Sequence, residues 1–292
     1  MNSERRRIAC RQFEEERALY HLSDAEILHC TFAGATDGES ALKEARQITV
    51  SDSTFALRYP LWHVRKLSLD HCRFQETARA ALWYCEQGSL ESCELHGIKA
   101  LRECHDFRIA HSIIDSEEFG WKCKNIRMTD CKLRSEYLFF DSRNIELQQI
   151  AMTGKYSFQY IDGLTIRQSQ LDTKDAFWHS KNVVVRDSAI KGEYLGWYSE
   201  GLTLINCTIE GTQPFCYCKN LQLMNCRMQG CDLSFEYSDV QASVIGKIDS
   251  VKNPLSGIIV ADEVGAVLME DAVISCSGKV ELRSKKSADS SK

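Results

Sequence analysis

NVVVRDSAIKGEYLGWYSE (182–200) runs without a gap into GLTLINCTIEGTQPFCYCK (201–219), and that into NLQLMNCRMQGCDLSFEYS (220–238). The three stretches are equal in length. The same nineteen-residue period extends back through GLTIRQSQLDTKDAFWHSK (163–181), NIELQQIAMTGKYSFQYID (144–162) and NIRMTDCKLRSEYLFFDSR (125–143) to DFRIAHSIIDSEEFGWKCK (106–124). A repeat this short cannot bury a core of its own, so successive copies must stack as coils of a solenoid.

Counted from the first residue of each copy, positions 2 and 4 are apolar, as in Ile126 and Met128 or Val183 and Val185, while position 3 is mostly Arg, Glu, Thr or Gln. That alternation is the pattern of a half-buried strand. Position 9 is apolar in every copy, from Ile114 to Met228, and position 7 is small, with Ser112, Cys131, Ser169, Ser188, Cys207 and Cys226. Position 1 favours Asn and Gly, and position 11 favours Ser, Thr and Gly. Both read as corners, where Asn and Gly accept the positive φ of a tight turn. A helical solenoid would need repeats of about 33 residues or more, and the Leu and Asn signature of leucine-rich repeats is missing. The left-handed β-helix follows a hexapeptide pattern, of which nineteen is not a multiple. The chain is therefore expected to be all-β, a single-stranded right-handed parallel β-helix of about twelve coils, roughly 55–60 Å long at 4.8 Å per coil.

The pattern continues outward with looser spacing. AEILHCTF, QITVSDSTF, KLSLDHCRF and GSLESCEL place Ile27, Val50, Leu69 and Leu90 at position 4. Residues 1–23 are expected to cap the rod, 24–282 to form one β-helix domain, and 283–292, a polar tail, to be disordered. Beyond Asp239 the repeat fades into VQASVIGKID and GIIVADEVGAVLMEDAVISC. An atypical terminal coil that hides the open strand edges is expected there.

Acidic residues outnumber basic ones by 41 to 36, giving a net charge of −5 and no electrostatic footprint for nucleic acid. The opening MNSERRRIACRQFEEERALY has no apolar core of a signal peptide, and nowhere do eighteen apolar residues run together. A soluble, cytoplasmic protein without membrane contact is expected. In that reducing compartment the fourteen cysteines should be free. Cys30, Cys72, Cys93, Cys131, Cys207 and Cys226 share position 7, and Cys85, Cys104, Cys123 and Cys218 share position 18, in both cases interchanging with Ser. They read as stacks of small inward side chains. A zinc site from Cys216, Cys218, Cys226 and Cys231 would need four ligands to converge, whereas these fall at positions 16, 18, 7 and 12 around the coil. No metal and no cofactor is expected.

Positions 12 to 17 differ from the rest, reading EYLFFD (136–141), KYSFQY (155–160), KDAFWH (174–179) and EYLGWY (193–198). If the strand parity of two holds here, positions 13, 15 and 17 face out and 14, 16 and 18 face in. Trp62, Trp121, Trp178 and Trp197 at position 16 would then be core, and Phe139, Phe158, Phe177 and Phe215 at position 15 would be exposed. An exposed aromatic strip of this extent reads as a binding face. Position 12 reads more simply as a solvated charge ladder with the pairs Glu136–Lys155 and Lys174–Glu193. Tyr160 and His179 sit on neighbouring coils about 4.8 Å apart, within hydrogen-bond reach, while Asp175 and His179 are about 13 Å apart along one strand. The candidate ligand-binding residues are Asp141, Tyr160, Asp175, His179, Glu193, Tyr194 and Tyr198, lining a groove where sugar rings of an extended saccharide rest on aromatic faces. The competing class is a non-enzymatic interaction scaffold or homodimer using the same strip. No reaction is assigned.

With GESALKEA (38–45), RYPLWH (58–63), KDAFWH, GEYLGWYSEGLTLINC (192–207) and PFCYCKNLQLMNC (214–226) in view, the chain resembles an uncharacterised microbial family of pectin-lyase-like single-stranded right-handed β-helix proteins. FEEERALY (13–20) resembles that family's opening Thr-Gly-Glu-Arg-Ala-Leu run, with Glu15 where the Gly stands. The resemblance implies the fold and no activity. The wider superfamily's lyases and hydrolases use clustered Asp, and no such cluster on adjacent coils is present here.

Overall fold

The computed structural model describes residues 5–34 and 38–284; of the tail expected to be disordered, 283–292, residues 285–292 lie outside the described residues, while Arg283 N donates to Ala261 O and the Arg283 side chain pairs with Asp262 at 2.8 Å. Among the described residues there is no helix, only strands and turns in a parallel β-solenoid of about 14 turns, two more than the sequence pattern indicated. The extra coils come from the ends. Arg6–Ala9 pairs in parallel with Ser23–Leu28, so residues assigned to the cap contribute a rung, and Ser256–Ala261 adds another rung beyond Asp239–Val244.

The repeat columns become vertical stacks. Ile126 pairs with Ile145, Ile145 with Leu164, Leu164 with Val183 and Val183 with Leu202, all in parallel register and all buried. Position 9 repeats this on a second wall through Leu133, Met152, Leu171, Ile190 and Ile209. Toward the N-terminus that column is a run of phenylalanines, with Phe13, Phe32, Phe55 and Phe74 stacked at 5.0, 4.6 and 4.6 Å. Parallel in-register stacking puts like on like, so each coil repeats its neighbour's choice.

The Ser and Cys columns have a reason beyond size. The residue before position 7 takes a left-handed φ in every coil of the strict repeat (Asp130 51°, Gln149 54°, Gln168 50°, Asp187 50°), and this interrupts the ladder. The freed backbone N–H at position 7 donates to the side chain above it: Ile150 N to Ser169 Oγ and Ser169 N to Ser188 Oγ, both at 3.0 Å. Position 18 does the same, with Cys85 N to Cys104 Sγ and Cys104 N to Cys123 Sγ at 3.4 Å, and Cys123 N to Ser142 Oγ at 3.0 Å. Ser and Cys interchange because both are small and both accept a hydrogen bond at a buried corner. The sulfurs of Cys216, Cys218, Cys226 and Cys231 donate to four different carbonyls, those of Gln213, Gly196, Leu204 and Ile209. Burial pushes Cys131 and Cys218 up to about 11 and Cys216 and Cys231 up to about 12, which keeps them as thiols.

The third wall departs from strand parity. Positions 13, 15 and 17 all carry positive φ, as in Asp175 (53°), Phe177 (63°) and His179 (54°), so this segment is a chain of turns. Each left-handed residue flips the peptide that follows. Tyr137 N bonds the next coil at Lys155 O, Phe139 N the preceding coil at Phe119 O, and Asp141 N the next coil again at Gln159 O. In a plain strand, alternate residues would bond the same neighbour. The result is that positions 14 and 15 both point inward. Phe139, Phe158, Phe177 and Phe215 are therefore buried, contrary to the parity expectation, and Trp62, Trp121, Trp178 and Trp197 stand half-exposed on the outside. Where position 15 is glycine, the neighbouring Phe occupies the space: a Cβ at Gly120, where φ is +80°, would lie 2.3 Å from the Phe139 ring.

Candidate functional site

The turn wall presents two files of rings running along the rod. At position 17, Tyr160 stacks on His179 at 5.0 Å, His179 on Tyr198 at 5.0 Å and Tyr198 on Tyr217 at 4.7 Å, with interplanar angles of 9°, 5° and 8°. Tyr237 continues the file at 5.7 Å, and its hydroxyl accepts a hydrogen bond from Val273 N. His63 and Tyr84 form a second stretch, stacked at 5.0 Å. At position 16, Trp62 stacks on Trp83 at 5.5 Å and Trp178 on Trp197 at 5.4 Å. Arg102 joins the former pair to Trp121, with its guanidinium 5.8 Å from the Trp83 ring and 5.4 Å from the Trp121 ring. Lys43 Nζ lies 4.1 Å over Trp62. The indole N–H groups of Trp121, Trp178 and Trp197 each donate to the carbonyl sixteen residues on, in Tyr137, Tyr194 and Gln213. These rings are fixed by the backbone of the next coil.

The candidate residues separate into two groups. Asp141, Tyr160, His179, Glu193 and Tyr198 are exposed, with Tyr160 at 49% and Tyr198 at 47%. Tyr194 is half-buried, packed edge-on against Trp197 at 5.5 Å. Asp175 is only 8% exposed, and burial pushes its carboxyl above the usual aspartate range, with Lys174 opposing and Glu193 adding to the shift. Tyr160 and His179 are neighbours as the spacing required, but they meet face to face instead of through a hydrogen bond. Of the two charge pairs, Lys155 and Glu136 form an ion pair at 3.0 Å, and none joins Lys174 to Glu193 among the described residues. Tyr237 escaped the sequence reading because it follows Tyr217 by twenty residues, one more than the period.

Stacking along the rod has a chemical consequence. The ring faces of position 17 are turned toward one another, so solvent meets ring edges, phenol hydroxyls and one imidazole, at one group per coil. A surface depression of about 760 Å³ lies on a different wall, beside Lys66, Gly88, Arg108, Arg127 and Glu146. Part of its charge is engaged, Arg127 with Glu146 at 3.2 Å, and Asp106 with Asn125 at 2.8 Å and His105 at 2.9 Å. The turn wall is the stronger candidate because its polar atoms are periodic and open. Among the described residues, no helix is long and apolar enough to cross a membrane.

A family profile described as protein of unknown function (DUF3737) matches residues 6–281, nearly the whole chain. The chain belongs to this family. Family and fold agree with the resemblance drawn from the sequence. No curated protein matches the chain. Among solved structures, it is similar to a mutant tailspike protein of E. coli bacteriophage HK620 in complex with a hexasaccharide, at 10% identity and a TM-score of 0.45, covering 85% of this chain and 60% of that one. It is also similar to a double mutant of the periplasmic alginate epimerase AlgG, at 10% identity and a TM-score of 0.30, covering 88% of this chain and 76% of that one. The A-module of the Azotobacter vinelandii mannuronan C-5 epimerase AlgE4 gives 10% identity and a TM-score of 0.30, covering 94% and 87%. The chain thus spans about three fifths of the tailspike's length. Likeness at this level carries nothing about activity.

Proposed function

We propose that the protein binds an extended saccharide along the turn wall, parallel to the rod axis. The observation that carries this reading is the file of Tyr160, His179, Tyr198 and Tyr217, whose rings lie 4.7–5.0 Å apart, one per coil, each with a polar group. A polymer with a repeating hydroxyl pattern can meet such a file several times in register, and each added contact shares the cost of aligning the chain. Asp141, one coil before Tyr160, supplies a carboxylate at one end, and Trp178 and Trp197 form an apolar shoulder. The role proposed is binding, and no reaction is assigned.

The test is a glycan array of neutral and acidic oligosaccharides, followed by titration of the best hit against Tyr160→Ala, His179→Ala and Tyr198→Ala. Each variant should lose at least about tenfold in affinity while melting near the parent, since these groups lie on the outside. Unchanged affinity in all three would remove the wall as the site. The competing scaffold reading is favoured by the ring faces being occupied internally, which leaves a wall of edges and hydroxyls that also suits a protein surface. Absence of any glycan hit, together with self-association that Tyr198→Ala abolishes, would establish that reading instead.

A further inference from the structure

The two ends of the rod differ. At the N-terminal end the inward side chains are covered, with Ile8 at 4% and Phe13 at 2% exposure and the Arg11 guanidinium 4.9 Å over the Phe13 ring. At the C-terminal end they are not. Val267 continues the inward column of Val251 and Leu282 that of Ala261, yet Val251 and Ala261 are fully buried while Val267 is 47% and Leu282 65% exposed. Leu268, Val273 and Ile274 add to the same apolar end. Among the described residues, the strand Glu263–Leu268 pairs only with Lys247–Lys252 and the strand Lys279–Leu282 only with Ser256–Ala261, so each keeps one open edge. The terminal coil is atypical, as the sequence implied, but it does not hide its edges.

We propose that this end docks on the same end of a second copy, forming a tail-to-tail dimer about a two-fold axis. Head-to-tail stacking would set the open apolar column against covered side chains, because among the described residues the N-terminal end keeps Ile8 and Phe13 buried and offers only the open edge of Arg6–Ala9. Residues 285–292, KKSADSSK, offer no large apolar side chain to lay over it. The open edge is, in contrast, complementary to itself. Lys279 and Glu281 flank Val280 and have no ion-pair partner among the described residues. Two copies of Lys279–Leu282 running antiparallel with Val280 on the axis place Lys279 opposite the partner's Glu281, twice by symmetry, and pair the open backbone groups. The same contact covers Val267 and Leu282.

Sedimentation equilibrium of the full chain over a range of concentrations tests this. The parent should run at twice its 33.3 kDa mass. Glu281→Lys places like charges opposite each other and should weaken dimerisation by at least about tenfold, and adding Lys279→Glu should restore it. Leu282→Asp should give a folded monomer, since the side chain is exposed in the monomer. A parent that stays monomeric at all concentrations overturns the proposal. So does a dimer indifferent to Glu281→Lys, or a charge-reversed double variant that fails to recover.

Discussion

Phe177 and His179 decide whether the turn wall is a strand or a chain of turns. Strand parity puts both on the outside, so replacing either by Ala should cost little. In the structure Phe177 is 1% exposed and stacks on Phe158 at 5.3 Å, while His179 is exposed. Burying a phenylalanine removes about 150–250 Å² from water, worth about 4–6 kcal/mol at 25 cal/mol per Å². Phe→Ala changes in cores cost about 3–5 kcal/mol once relaxation is included. Because coils on both sides hold the space open, Phe177→Ala should fall in that range. His179→Ala forfeits two ring contacts on the surface and should cost at most about 1.5 kcal/mol. Urea titrations followed by tryptophan fluorescence and circular dichroism would measure both, with coincidence of the two probes checking cooperativity. Equal and small losses from both variants would refute the inward Phe file, and with it the peptide flips that place the ring ladder outside.

Val185→Asp and Leu204→Asp should abolish folding, since each charge would enter a fully packed column, whereas Arg167→Ala on the exposed side should stay within about 0.5 kcal/mol by the same titration. Thiol titration should find Cys10, the exposed one, reacting fast in the native protein and all fourteen cysteines reacting after unfolding; a lower final count would reveal disulfides. Asp175 holds its proton more tightly folded than unfolded, so its contribution to stability is complete when it is protonated and falls as pH rises through the raised value. Asp175→Asn should therefore melt above the parent at about pH 7 and no higher than the parent at about pH 3, and a gain of equal size at both would assign the effect to something other than the charge.

The sequence by itself determined the solenoid, its register and the inside of its first two walls. A nineteen-residue period in a stacked fold is a statement about neighbours: residues one period apart, such as Val183 and Leu202, must touch, and β alternation then sorts Val183 and Val185 inward. The Ser and Cys columns were legible as small and inward, but their task of receiving a corner N–H depends on a backbone bend one residue earlier and appeared only in three dimensions. The turn wall was legible as aromatic and misread in facing. Alternate positive φ at Tyr156, Phe158 and Tyr160 is a backbone state that Tyr and Phe rarely adopt, so nothing in their identity announces it. Tertiary packing imposes it, because the buried Phe stack repeated coil after coil outweighs the local strain of each residue. The ends, too, belong to the tertiary structure. Leu282 has the same apolar character as the buried residues below it, and whether it is core or surface depends on whether another coil, or another molecule, lies on top.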